Sequence, residues 1–116
     1  MPTVLVVDDS AVARHALTSR LTAKGATIVE ADSVATAAAI DIMLVHAALL
    51  DIDLGDGDGV SLARVMHAKH PALPIAFFTA EDGTALALEA AKIGAVFAKN
   101  QADEAATWAL ASALGA

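Results

Sequence analysis

Residues 3–7 form a short apolar, partly β-branched run that ends abruptly in Asp8 and Asp9. Such a run is too brief for a helix and is predicted to be a buried strand. Ser10 then stands where a helix cap is expected. Ala13, Ala16, Leu17 and Leu21 recur at helical spacing, and Gly25 supplies a stop. The same alternation repeats along the chain. A second strand is predicted over 26–30, an alanine-rich helix capped by Ser33 extends to about Leu44, and a third strand covers 46–51. After a glycine-rich connection at 55–59 comes a helix carrying Val60, Leu62, Ala63, Val65 and Met66, which closes near His70 and Pro71. A fourth strand over 73–78, a helix over 84–93 ended by Gly94, a fifth strand over 95–98 and a last helix over 102–114 complete the pattern. Strands alternating with single helices imply a parallel sheet covered on both faces. The expectation is a five-stranded, doubly wound α/β fold with five helices, occupying residues 1–116 as one domain.

Composition narrows the function. No apolar stretch approaches the roughly 18 residues that span a bilayer, so no membrane association is expected. The start of the chain lacks the basic segment and small-residue cleavage site of a secretory signal, which predicts a cytoplasmic location. Cysteine is absent, so thiolate catalysis and thiolate metal sites are excluded. Fourteen acidic residues against seven basic ones give a formal charge of −7, which opposes direct nucleic-acid binding. The scarcity of aromatic residues removes a stacking platform for bases as well. Acidic groups instead invite a hard cation.

In an open parallel sheet, ligands bind beyond the carboxyl ends of the strands. The polar residues fall there: Asp8 and Asp9 after the first strand, Asp51 at the end of the third, Thr79 after the fourth and Lys99 after the fifth. Three carboxylates in one pocket repel one another unless a cation neutralises them, and magnesium favours a few carboxylates with water and phosphate oxygens. Each residue alone has an ordinary reading, such as a helix cap, an Asx turn or a solvated amine. Their common placement at one edge is what points to chemistry.

The motif Val-Leu-Val-Val-Asp-Asp-Ser at 4–10, Leu-Leu-Asp-Ile-Asp-Leu at 49–54 with Asp58 and Gly59, the run Phe78, Thr79 and Ala80, and finally Lys99 resemble the receiver domains of two-component response regulators. The resemblance covers essentially the whole chain. It implies a flavodoxin-like strand order 2-1-3-4-5 and a switch that takes a phosphoryl group onto Asp51. It also implies a magnesium ion, or manganese in its place, held by Asp8, Asp9, Asp51 and the backbone carbonyl of Asp53. Thr79 and Lys99 would hold the phosphoryl oxygens. The implied donor is a phosphohistidine on a sensor kinase or histidine phosphotransfer protein, and the domain would catalyse its own dephosphorylation rather than turn over a separate substrate. Asp53 and Glu81 occupy positions expected to tune that hydrolysis, the alternative for Glu81 being a solvated residue favoured by a helix dipole.

The chain also departs from the family. Asn100 follows Lys99 where proline is usual, and since a cis bond before a non-proline residue costs about 2.5–4 kcal/mol, a trans or rearranged loop is expected. Gly55 stands where proline is common. The family's switch pairs the threonine with an aromatic residue three positions before the lysine; here that position is Val96, and Phe97 lies two before. Neighbouring strand residues face opposite sides, so Thr79 and Phe97 form a switch pair only if the strand pairing shifts, and otherwise Phe97 is plain packing.

Competing readings are a degenerate receiver acting as a phosphorylation-independent interaction module, a calcium loop, and a flavodoxin-like cofactor binder. The calcium loop fails on spacing: counting from Asp51, its fifth, sixth and twelfth positions are Gly55, Asp56 and Leu62 rather than an oxygen ligand, glycine and glutamate. His67 and His70 lack a third metal ligand. A cofactor binder lacks its phosphate-cradling glycine loop after the first strand. With no output module in sight, signalling is expected by contact with a downstream protein or a second receiver through helix four, strand five and helix five. Trp108 and Leu110 on the last helix are expected in the core.

Overall fold

The computed structural model describes residues 1–80 and 83–115. Its elements run β1 (Thr3–Val7), α1 (Ala11–Ala23), β2 (Thr27–Ala31), α2 (Val34–Ala38), a single 3-10 turn (Ile42–Leu44), β3 (Ala47–Leu50), α3 (Gly59–Lys69), β4 (Ile75–Thr79), α4 (Ala85–Ala91), β5 (Ala95–Ala98) and α5 (Ala102–Ala113). All strand pairs are parallel, in the order β2-β1-β3-β4-β5. The doubly wound α/β fold and its strand order are therefore as the sequence implies.

Period-two alternation within each strand divides the core into two layers. Leu5, Val7, Ala48, Leu50, Ile75 and Phe77 face α2, α3 and α4, where they meet Ala37, Val60, Ala63, Met66 and Ala90. Val4, Val6, Leu49, Ala76 and Phe78 face the other way, onto Leu17 and Leu21 of α1 and the alanines 102, 105, 106 and 109 of α5. The central strands β1, β3 and β4 are almost wholly buried. Polar side chains are thereby confined to the strand ends. Ser10, Ser33, Asp58 and Thr84 each cap a helix by accepting the amide three residues on, from Ala13, Thr36, Ser61 and Ala87.

The second helix is shorter than its alanine content suggests. It ends at Ala38 and does not continue to Leu44, because the Asp41 carboxylate accepts the amide of Met43 at 3.1 Å and nucleates the separate 3-10 turn. A short acidic side chain that offers the backbone a local partner competes with helix propagation. Trp108 and Leu110 are half-buried and pack against the α1–α5 core layer.

Gly94 joins α4 to β5 where the backbone passes over β4. A Cβ at this position would lie 2.0 Å from the carbonyl oxygen of Ile75. Gly94→Ala is expected to lower stability by about 1–3 kcal/mol, since overpacking against a backbone in a parallel sheet has nowhere to relax. A urea midpoint unchanged from the parent protein would refute this.

Candidate functional site

β1, β3, β4 and β5 all end at one edge of the sheet, and each delivers a polar residue there. Asp8 follows β1 directly and is 1% exposed. Its Oδ1 accepts the amide of Ser10 at 2.9 Å, and its backbone carbonyl accepts Nη1 of Arg14 at 2.7 Å. Arg14 in turn pairs with Glu30 at the end of β2, at 3.1 Å, so the turn after β1 is tied to both neighbours. Asp9 is exposed, and Asp51, directly after β3, is 7% exposed. One carboxylate oxygen from each of Asp8, Asp9 and Asp51 lies within 4.8 Å of the others. These donors are all hard oxygens, a set that suits magnesium, calcium or manganese and disfavours softer metals.

Lys99 supplies the opposing charge. Its Nζ contacts Oδ2 of Asp8 directly and lies 3.6 Å from Oδ2 of Asp51. The ammonium also sits 4.8 Å from the centre of the Phe78 ring, within cation–π range. Its backbone is fixed by an amide bond to the carbonyl of Thr79 at 3.0 Å. Gln101 braces the same turn: its side-chain Oε1 accepts the amide of Ala98 at 2.9 Å, and its own amide donates to the Ala98 carbonyl at 2.9 Å. The Lys99–Asn100 peptide bond is trans, as the missing proline leads one to expect. Thr79 is 6% exposed and lines the same groove, an open cleft of about 1080 Å³ walled further out by Val12 and Leu86.

Burial pushes the Asp51 carboxyl up to about 7, opposed by the Lys99 charge and reinforced by the neighbouring Asp8. The nearby backbone amide of Asp53 pulls in the lowering direction. Without a cation, one proton and one ammonium thus share the work of neutralising this edge.

Asp53 itself is exposed, and its Oδ1 accepts the amide of Gly55 at 3.2 Å. Glu81, the second candidate for tuning hydrolysis, lies outside the described residues. Phe97 pairs in register with Phe78, Thr79 with Ala98, and Phe77 with Val96. The Phe97 ring packs on the α1–α5 side, 6.3 Å from Trp108, whereas Val96 joins the layer beneath α2, α3 and α4. The register therefore gives Phe97 the packing position anticipated for an unshifted strand. Three supporting residues were not visible in the pattern of the sequence: Arg14, Gln101 and Asp56, whose carboxylate accepts the amides of Val34 and Ala35. All three act on backbone groups, which leave no residue-type signal.

A family model described as the response regulator receiver domain matches residues 4–104. No curated protein matches the chain. Solved structures that resemble it include the signal receiver domain of the putative response regulator NarL from Mycobacterium tuberculosis, 29% identical with a TM-score of 0.82 over 99% of this chain and 98% of that one. The non-phosphorylated HemR receiver domain from Leptospira biflexa is 25% identical, with a TM-score of 0.78 over 91% and 94% of the two chains. The beryllofluoride-activated NtrC4 receiver domain dimer is 24% identical, with a TM-score of 0.82 over 97% and 99%.

The raised Asp51 group has a consequence for metal-free stability. A carboxyl whose folded value exceeds its unfolded one contributes stability that is complete below about pH 4 and is lost as pH rises through about 7. Asp51→Asn removes that loss, so in chelator the variant is expected to exceed the parent by on the order of 2 kcal/mol at pH 8. The difference should vanish near pH 4. Urea titrations at the two pH values test this, and a difference independent of pH would contradict it.

Proposed function

The chain belongs to the response regulator receiver family, and from that premise we propose that residues 1–116 form one receiver domain that accepts a phosphoryl group on Asp51. The observation that carries the reading is the convergence of Asp8, Asp9 and Asp51 with Lys99 at one strand edge. In this reading an Asp51 oxygen attacks the phosphorus of a phosphohistidine on a kinase or phosphotransfer protein. The phosphorus–nitrogen bond breaks, the imidazole leaves with the electron pair and takes up a proton, and an acyl phosphate remains. Water later attacks the phosphorus, which returns the carboxylate and releases inorganic phosphate.

The roles of the other residues follow from their positions. Asp8 and Asp9, with Asp51 and the Asp53 carbonyl, would hold magnesium, and manganese would serve in its place. When bound, the cation supplies positive charge to the oxygens of the transferring group. Lys99 would move its ammonium from the Asp8 carboxylate to the phosphoryl oxygens, and the Thr79 hydroxyl would donate to another of them. Small Ala80 leaves the acceptor approachable. Asp53 and Glu81 would tune hydrolysis. Output would be by contact of α4, β5 and α5 with a target protein or a second receiver, the second being supported by the dimer of the activated NtrC4 relative. Leu86 and Leu88 of α4 are exposed on that side. No helix among the described residues is long and apolar enough to cross a membrane.

Incubation with magnesium and acetyl phosphate is expected to add one phosphoryl group, read as intact mass. Neither Asp51→Asn nor the parent protein in chelator should be labelled. No adduct from acetyl phosphate or from a phosphohistidine donor would favour the degenerate interaction module instead.

Lys99→Ala separates the two roles of the ammonium. Labelling is expected to slow by about a hundredfold or more, the scale for removing one preorganised group that stabilises charge in the transferring group. Magnesium affinity, measured by calorimetry at pH 8, is expected to rise, since Lys99 no longer competes for Asp8. Weaker metal binding in the variant would sink this assignment.

A further inference from the structure

The loop between β3 and α3 is anchored at both ends, and its far anchor is Asp56. The Asp56 carboxylate accepts the amide of Val34 at 2.9 Å and that of Ala35 at 3.2 Å. Those two amides hold its carboxyl below the usual carboxylate range. α2 is only five residues long, and Ser33 caps one of its first amides, that of Thr36, at 3.0 Å. The two preceding amides are thus satisfied by a side chain from another loop. Gly57 packs on the same spot, where a Cβ would lie 3.0 Å from Cγ2 of Val34.

The loop is cross-bonded between this anchor and the site. The amide of Asp56 donates to the Leu54 carbonyl at 2.9 Å, that of Leu54 to the Gly57 carbonyl at 3.1 Å, and that of Gly55 to the Asp53 side chain at 3.2 Å. Asp53 and Asp58 close the loop as an isolated antiparallel bridge. At the near end, the amide of Gly59 donates to the Ile52 carbonyl at 2.8 Å, next to Asp51, and the Asp53 amide lies close enough to the Asp51 carboxylate to lower its value. A displacement of Asp56 is therefore carried along a short, cross-bonded segment to residues one and two positions after the acceptor.

We propose that Asp56 is a positioning residue: by gripping the first amides of α2 it fixes the 53–58 loop, and so holds the Asp53 backbone against Asp51 and the cation edge of the site. The part that concerns the cation rests on the function proposed above. The part that concerns the Asp53 amide does not.

The test compares the parent protein with Asp56→Ala, Asp56→Asn and Ser33→Ala. Ser33→Ala removes a cap from the same helix without touching the loop, so it reports the cost of loosening α2 alone. In the metal-free protein, exchange of the Asp53 amide with deuterated solvent is expected to quicken about tenfold in Asp56→Ala and to stay near the parent value in Ser33→Ala. Magnesium affinity by calorimetry, and the magnesium concentration for half-maximal labelling by acetyl phosphate, should shift about three- to tenfold in Asp56→Ala. Asp56→Asn keeps one acceptor oxygen and is expected to fall between Asp56→Ala and the parent; it also stands in if the alanine variant fails to fold. Equal Asp53 exchange in Asp56→Ala and Ser33→Ala would overturn the positioning role. A parent protein that binds no magnesium would overturn the proposed function and the cation part of the role, while faster Asp53 exchange would still uphold the grip on the acceptor loop.

Discussion

Three carboxylates at the end of a buried parallel sheet cannot all carry charge without a counter-ion, and the arrangement of the edge follows from this. Two like charges about 4 Å apart repel by roughly 4 kcal/mol at an effective dielectric near that of a protein surface. Asp8 and Asp51 are both nearly excluded from solvent, so the repulsion is poorly screened. The fold answers with Lys99, brought in from β5 to contact Asp8 and approach Asp51. It answers also with peptide dipoles, since the Ser10 amide faces Asp8 and the Asp53 amide faces Asp51. Burial penalises the Asp51 charge by more than Lys99 relieves it, and the remainder is expressed as proton uptake at Asp51.

Such an edge requires strands that end in register, and the core enforces that register. Because both faces of the sheet are covered, a one-residue slip would drive apolar side chains from one core layer into the other and displace the polar ends. The alanine content of α5 serves the same end. Alanines 102, 105, 106 and 109 let the helix lie close on β1, β3 and β4, where larger residues would hold it away. Bulk is supplied from the sheet instead, by Phe77 on one face and Phe78 on the other. Phe78 lies beneath the Lys99 ammonium, so one residue both fills the core and forms the floor of the site.

Whatever depends on hydrophobic runs and their ends was legible in the sequence. The strands, the caps at Ser10 and Ser33, and the convergence of Asp8, Asp9, Asp51, Thr79 and Lys99 follow from where apolar residues stop. The extent of α2 did not, because alanine richness reports helix propensity while Asp41 acts through one local hydrogen bond that propensity ignores. The side taken by Phe97 hung on a pairing register that only the assembled β4–β5 ladder fixes. Arg14, Asp56 and Gln101 were invisible for a common reason. Their partners are the Asp8 carbonyl, the Val34 and Ala35 amides and the Ala98 amide, and every residue type offers such groups.

The position of Phe97 also bears on how the strand-end edge is tied to the rest of the sheet. Its ring is packed against Trp108 on the α1–α5 side, away from the core layer that Val96 shares with α4. The backbone joins Thr79 to the end of β5, from the Lys99 amide to the Thr79 carbonyl. Lys99 is then joined to the edge in two ways, by its side chain to Asp8 and Asp51 and by its main chain to Thr79. The charged edge and the end of the β4–β5 ladder are thus joined in a single residue. Gln101 braces the Ala98 end of the same turn, its Oε1 accepting the Ala98 amide.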